Sequence, residues 1–160
     1  MILYFPHFWM ETMNQYFGVA VKCIIKDSHW KILLVYKSET EDVNPNSFDI
    51  PGWRIHWGEK LEDAIKREVK EEVNLEVEIE KVSRGRWFTK WDLHLIWITY
   101  VGKCSDVSNI KLSDEHTWYF RYDKEQILNG DFPVTYNPNM SIRATQALKI
   151  SCPVSITLVG

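Results

Sequence analysis

The sequence predicts a mixed α+β domain, with strands on both sides of one long helix. Three observations carry that expectation. Segments in which apolar residues alternate with a period of two flank a single segment in which they recur every four residues. No regular β-α-β alternation runs along the chain, which argues against a doubly wound sheet. Repeats, low-complexity stretches and linkers are absent, so the 160 residues are expected to form one domain, with 1–15 as an N-terminal extension and 151–160 as an ambiguous C-terminal tail.

The elements follow in order. "YFGVAVKCIIK" (16–26) alternates and is rich in β-branched residues, as a strand should be. "DSHW" supplies a turn, and "KILLVYK" (31–37) reads as the returning strand of a hairpin. "SETEDVNPNS" (38–47) is polar and carries Asn-Pro-Asn, hence a loop, and "FDI" is a short strand ending at Pro51. In 60–74, Leu61, Ile65, Val69 and Val73 form one apolar stripe of a helix. "LEVEIEKV" (75–82) returns to a period of two, and "RWFTKWDLHLIWITYVG" (86–102) reads as one or two strands with a turn around Thr89 to Asp92. "HTWYFRY" (116–122) is strand-like, "DKEQILNG" (123–130) a short helix with Asp123 as N-cap and Gly130 as a stop, and "SIRATQALKI" (141–150) a further helix.

Composition removes several function classes. A net charge of −3 gives no general attraction to nucleic acid or anionic membranes, and no apolar run is long enough to span a bilayer. The aromatic start lacks a basic n-region and a small-residue cleavage site, so it does not read as a signal peptide. Cys23, Cys104 and Cys152 are odd in number and widely spaced, which argues against a disulfide framework and for small buried residues in a reducing, cytoplasmic setting. The same aromatic segment suits a homodimer interface.

The chemistry concentrates in "REVKEEVNL". On a helix with Val69 at zero angle, Glu72 falls near −60°, Glu68 near −100° and Glu71 near −160°, all roughly estimated from about 100° per residue. These carboxylates therefore flank the buried stripe, where like charges at three and four residues repel. A divalent cation with a preference for oxygen, magnesium or manganese, would remove that penalty. The bland alternative is a solvated acidic helix with Glu–Lys pairs. The Gly-rich turn "PGWRIHWGE" feeding the helix favours the metal site, because it can aim backbone groups at the same place.

The register from that turn to the helix resembles the Nudix box. Gly52 stands at the first of the paired glycines, five residues separate Trp53 from Glu59, and seven more lead to Arg67, Glu68, Val69, Lys70, Glu71, Glu72, Val73, Asn74 and Leu75. Two positions depart from the family: Trp53 and Asn74 stand where it carries glycine. Asn is the next best residue for a left-handed cap. Trp53 would be costly if its position required positive φ.

The resemblance implies the Nudix fold, an α/β/α sandwich around a mixed sheet, and a MutT-like hydrolase. Its activity would be metal-dependent cleavage of a nucleoside diphosphate linked to another moiety, by water attack on phosphorus. It implies magnesium or manganese held by Glu68 and Glu72, with Glu71, Glu59 and the Gly52 carbonyl as further ligands. Arg67 would orient a glutamate, and Glu115, with Asp114 and His116 as neighbours, would serve as base or complete the metal site. Substrate contacts are expected from Trp53, Arg54, Arg86 and Trp87. Trp91 and Tyr119 are further stacking candidates, and Lys81, Arg84 and Lys90 are basic neighbours of Arg86. His56 and His94 read as strand residues. Subclass markers known downstream of the box, a proline or a tyrosine, are absent from "RGRWFTKWDL", which leaves a nucleoside triphosphate or a nucleotide sugar as substrate. The alternative from another class is a Nudix-fold module that senses a nucleotide without cleaving it, and Trp53 is its best support.

Overall fold

The computed structural model describes residues 16–90, 92–123, 125 and 126. Its elements are β1 (Tyr16–Lys26), β2 (Ile32–Lys37), β3 (Phe48–Asp49), α1 (Leu61–Val73), β4 (Glu78–Lys90), β5 (Leu93–Lys103) and β6 (His116–Tyr122). The sheet runs β3-β2-β1-β5-β4, with β6 also paired to β2. Among the described strands only β1 and β5 pair in parallel, in unbroken register from Tyr16↔Leu93 to Lys26↔Lys103. The sheet is therefore mixed, as the resemblance implies.

The hairpin β1–β2 shapes the site. Its strands pair only at Lys26↔Ile32 and then diverge. The turn residues enter the gap and run antiparallel along the freed edge of β1. Cys23 donates its N–H to the Pro51 carbonyl at 2.8 Å, Val21 to Trp53 at 2.8 Å, and Ile55 donates to Val19 at 3.3 Å. A strand edge that would otherwise be unsatisfied thus fixes residues 51–55 against the sheet.

Helix α1 packs its predicted stripe on one face of the sheet. Ala64, Ile65, Val69 and Val73 are fully buried against Val21, Cys23, Ile25, Leu33, Val35 and Tyr100. Each buried Ile, Val or Leu among them contributes on the order of 1.5–3 kcal/mol. A second cluster of Ile24, Ile32, Leu34, Phe48 and Tyr122 fills the opposite side of β1 and β2. Acidic Glu62 and Asp63 sit in the first turn of α1, where they complement the helix dipole. Asn74 ends the helix in the left-handed conformation, φ 57° and ψ 32°, and its N–H reaches the Lys70 carbonyl. The asparagine thus does the work of the glycine it replaces, and its side-chain amide adds a bond to the Asn109 carbonyl at 3.1 Å.

Some boundaries move. Leu75 and Val77 are buried and Glu76 is exposed, so the alternation that reads as a strand from 75 is genuine, but ladder pairing starts only at Glu78. No break separates 82 from 86. Strand β4 continues through Ser83 to Gly85 because β5 pairs with it along its whole length, and two bulges, Ile79/Lys81 and Val82/Arg84, absorb the irregularity. Cys23 and Cys104 are buried free thiols. The helix expected at 141–150, Cys152, the C-terminal tail, the N-terminal extension and nearly all of the helix expected at 123–130 lie outside the described residues. Among the described residues no helix is long and apolar enough to cross a membrane.

Candidate active site

Two residues of the turn have positive φ, and both are glycines: Gly52 at 118° and Gly58 at 78°. Trp53 does not, so the strain its bulk would bring at a left-handed position never arises. Gly52 is irreplaceable by another route as well. A Cβ there would overlap the Val21 carbonyl oxygen and come within 2.8 Å of Ile65 Cδ1. This close approach lets the Gly52 N–H reach down to Glu72 on α1, donating to Oε1 at 3.1 Å.

The three helix carboxylates are graded as their angles predict. Glu72 is 5% and Glu68 8% exposed, whereas Glu71 lies on the solvent side. Arg67 gathers them with Glu59. Its Nε and Nη2 donate to the two oxygens of Glu59 at 2.8 and 3.0 Å, and Nη1 donates to Glu68 at 2.7 Å and Glu71 at 2.9 Å. Nη2 also donates to the Arg54 carbonyl at 3.1 Å, tying the helix back to the turn. These bonds hold Glu59 down to a pKa of about 2, the Arg67 hydrogen bond first and the His56 N–H second. The Arg67 guanidinium is correspondingly pushed up.

Glu72 has no such cation on it. Its second oxygen, Oε2, is buried and has no hydrogen-bond partner among the described residues. His116 Nε2 lies 3.8 Å away, yet the two do not form an ion pair. Burial pushes Glu72 up, against the pull of Lys22, and burial followed by Lys22 pushes His116 down to about 4. An orphaned carboxylate oxygen at the base of a cleft is the kind of donor that a hard divalent cation takes. Among the described residues no three acidic, His or Cys side chains already converge as a cage, because Arg67 draws Glu59, Glu68 and Glu71 to itself.

The cleft above Glu72 has a volume of about 240 Å³ and is lined by residues including Lys22, Lys37, Asp49, Trp53, Arg54 and Glu115. Glu115 is on its rim, where partial burial, Glu41 and Glu68 push its carboxyl up. Of the residues expected at the site, Gly52, Trp53, Arg54, Glu72, Glu115 and His116 line this cleft. Glu59, Arg67, Glu68 and Glu71 form the adjoining network.

Arg86 and Trp87 lie elsewhere, on β4 opposite Trp97 and Ile96 of β5, where the Trp87 ring stacks on His94 at 5.4 Å. Tyr119 is on β6, paired with Val35. Asp114 is an exposed turn residue, and Trp91 is outside the described residues.

The sequence reading passed over Lys22, Lys37 and Asp49. Lys22 Nζ donates to Asp49 Oδ2 at 2.9 Å and to the Ile50 carbonyl at 3.2 Å, and is itself only 8% exposed. The signal was present: Lys22 interrupts the apolar run "GVAVKCII", where a lysine needs a buried partner.

A mixed-sheet α+β domain whose glycine turn meets an arginine and four glutamates carried on or just before one helix is the class that these elements define. A NUDIX domain family model matches residues 16–134. The chain belongs to the Nudix family. Solved structures agree on the fold. A MutT protein from Methanosarcina mazei Go1 superposes with TM-score 0.72 at 23% identity, covering 88% of this chain and 98% of its own. A MutT NUDIX hydrolase from Burkholderia pseudomallei gives 0.64 at 19%, covering 86% and 100%. A C. elegans Ap4A hydrolase gives 0.64 at 17%, covering 84% and 94%. At these identities the likeness shows the fold. A search of curated proteins finds no match.

Proposed function

We propose that the chain is a pyrophosphohydrolase dependent on magnesium or manganese, cleaving a nucleoside diphosphate linked to another moiety by water attack on phosphorus. The observation that carries this reading is Glu72, whose buried Oε2 has no partner among the described residues, at the base of a cleft walled by Lys22, Lys37 and Arg54. Glu68 and Glu72 would hold the metal, with Glu59 and Glu71 supporting. A bound metal supplies charge neutralisation on the phosphate oxygens and a more acidic water.

The chain's own residues do the rest. Arg67 holds Glu68 in place by a charge-assisted bond at 2.7 Å and restrains Glu59 and Glu71. The Gly52 N–H fixes the rotamer of Glu72 through Oε1, leaving Oε2 directed elsewhere. Glu115, on the rim with a raised pKa, accepts the proton of the attacking water. Lys22, Lys37 and Arg54 face the anionic substrate.

Nucleoside triphosphates and nucleotide sugars, assayed with magnesium for release of phosphate or nucleoside monophosphate, test the reading. Turnover is expected, with a loss on the order of 10²-fold or more in Glu72→Gln. Nucleotide binding without turnover at any magnesium or manganese concentration overturns it and leaves a sensor module.

A further inference from the structure

Trp53 stands where the turn would otherwise carry a glycine, and its ring is surrounded by positive charge. Lys22 Nζ is 5.4 Å from the ring centroid, Arg54 Cζ 5.6 Å and Lys37 Nζ 5.9 Å. Cation–ring contacts occur about once per 70–80 residues, so three on one ring is a concentration that calls for an explanation. The three cations come from β1, β2 and the turn, elements brought together only by the divergence of β1 from β2.

All three cations line the cleft, the two lysines beside carboxylates they pair with, Asp49 and Glu41. Lys22 is held by Asp49 and the Ile50 carbonyl. Lys37 is held by the Val43 carbonyl at 2.7 Å and by Glu41 at 3.3 Å. The Arg54 side chain is exposed and rests on the indole. Like charges gathered this way repel. The negative face of an indole offsets part of that repulsion, yet it is a weaker partner than a phosphate oxygen.

Resting on the pyrophosphohydrolase reading, we propose that Trp53 is a positioning residue that holds Lys22, Lys37 and Arg54 as a receptor for a free phosphate chain. The receptor selects nucleoside triphosphates over nucleotide sugars. A terminal phosphate brings about 1.5–2 negative charges near neutral pH on three acceptor oxygens, whereas a sugar brings only uncharged hydroxyls. Three preplaced cations reward that difference, and the indole adds a common surface to the bonds that already order the two lysines and gives Arg54 one of its own. The tryptophan thus narrows the substrate range and leaves the carboxylate chemistry alone.

Two variants separate the ring from its bulk: Trp53→Leu keeps an apolar side chain without a π face, and Trp53→Phe keeps the face. Calorimetric titration with inorganic tripolyphosphate, with and without magnesium, should show binding weakened about tenfold in Trp53→Leu and largely restored in Trp53→Phe. Steady-state kinetics should show KM for ATP and GTP rising with kcat held, and KM for ADP-ribose unmoved. Equal tripolyphosphate affinity in wild type and Trp53→Leu, detectable or not, overturns the inference. So does a parallel rise in KM for ATP and ADP-ribose, or Trp53→Phe behaving as Trp53→Leu.

The two proposals fail separately. A wild-type protein that turns over nothing, yet loses tripolyphosphate affinity in Trp53→Leu, sinks the hydrolase reading and keeps the receptor. Turnover abolished by Glu72→Gln, with Trp53→Leu silent in both assays, does the reverse.

Discussion

Two hubs flank one turn, and they are built as opposites. At Arg67 a single cation serves three carboxylates, Glu59, Glu68 and Glu71, through hydrogen bonds of 2.7–3.0 Å. At Trp53 a single π system serves three cations at 5.4–5.9 Å. The first hub is rigid and directional, because a guanidinium fork fixes its partners in angle as well as distance. The second is loose and non-directional. A group that must present metal ligands within a fraction of an ångström needs the first kind of support. Cations preplaced for a phosphate chain, with Lys22 and Lys37 already bonded to Asp49, Ile50, Val43 and Glu41, need only the second. Gly52 lies between the hubs, bonded by its N–H to Glu72 and adjacent in sequence to Trp53.

Removing the fork should have the largest effect. On the proposed activity, Arg67→Ala is expected to lower kcat/KM about 10- to 100-fold, the usual range for losing the group that orients metal ligands. Arg67→Lys should recover only part of this, since one ammonium cannot replace the bidentate grip on Glu59 together with the bonds to Glu68 and Glu71. Full activity in Arg67→Ala would mean that the carboxylates need no organiser, and the contrast between the hubs would lose its basis.

Next in size is the shared hinge, read as stability. Gly52→Ala combines positive φ with a Cβ that overlaps the Val21 carbonyl, and should cost about 2–5 kcal/mol in urea denaturation. Gly58 also has positive φ, but an added Cβ there meets nothing within 4 Å. Gly58→Ala should therefore cost only about 1–2 kcal/mol, the conformational part alone. Equal costs at the two positions would show that the tight packing of the turn on β1 contributes nothing.

The difference between the hubs also governs what the sequence could reveal. The Arg67 hub is local. Glu59, Arg67, Glu68 and Glu71 fall within thirteen consecutive residues, and helical geometry alone grades the burial of Glu72, Glu68 and Glu71 correctly. The same locality made the strands and α1 legible, as each rests on its own periodicity. The Trp53 hub is assembled from residues 22, 37, 53 and 54, and nothing in the sequence states that β1 and β2 part on leaving the Lys26–Ile32 pair beside their turn. Arg86 and Trp87 show the converse: neighbours in sequence, they point to opposite faces as adjacent strand residues do, on β4 at the far end of the sheet from β3.

The smallest predicted effect tests the inner order of the Arg67 hub. Glu59 takes two bonds from Arg67 and accepts the His56 N–H at 2.9 Å, and its side chain is 15% exposed. Glu71 takes one bond, and its side chain is 59% exposed. Water competes for an exposed carboxylate and screens its charge, so the Glu71 contact should be worth well under about 1 kcal/mol. Glu71→Gln is then expected to leave the melting temperature of the metal-free protein nearly unchanged. Glu59→Gln should lower it measurably, because it removes a bidentate pair and an acceptor of the turn's own backbone at once. Added salt offers a check on the same ranking. It should erase what little Glu71→Gln costs and leave most of the Glu59→Gln deficit, since partly buried pairs are screened less. If the two variants melt alike at both salt concentrations, Arg67 is held by net charge, and the directional character assigned to its hub is wrong.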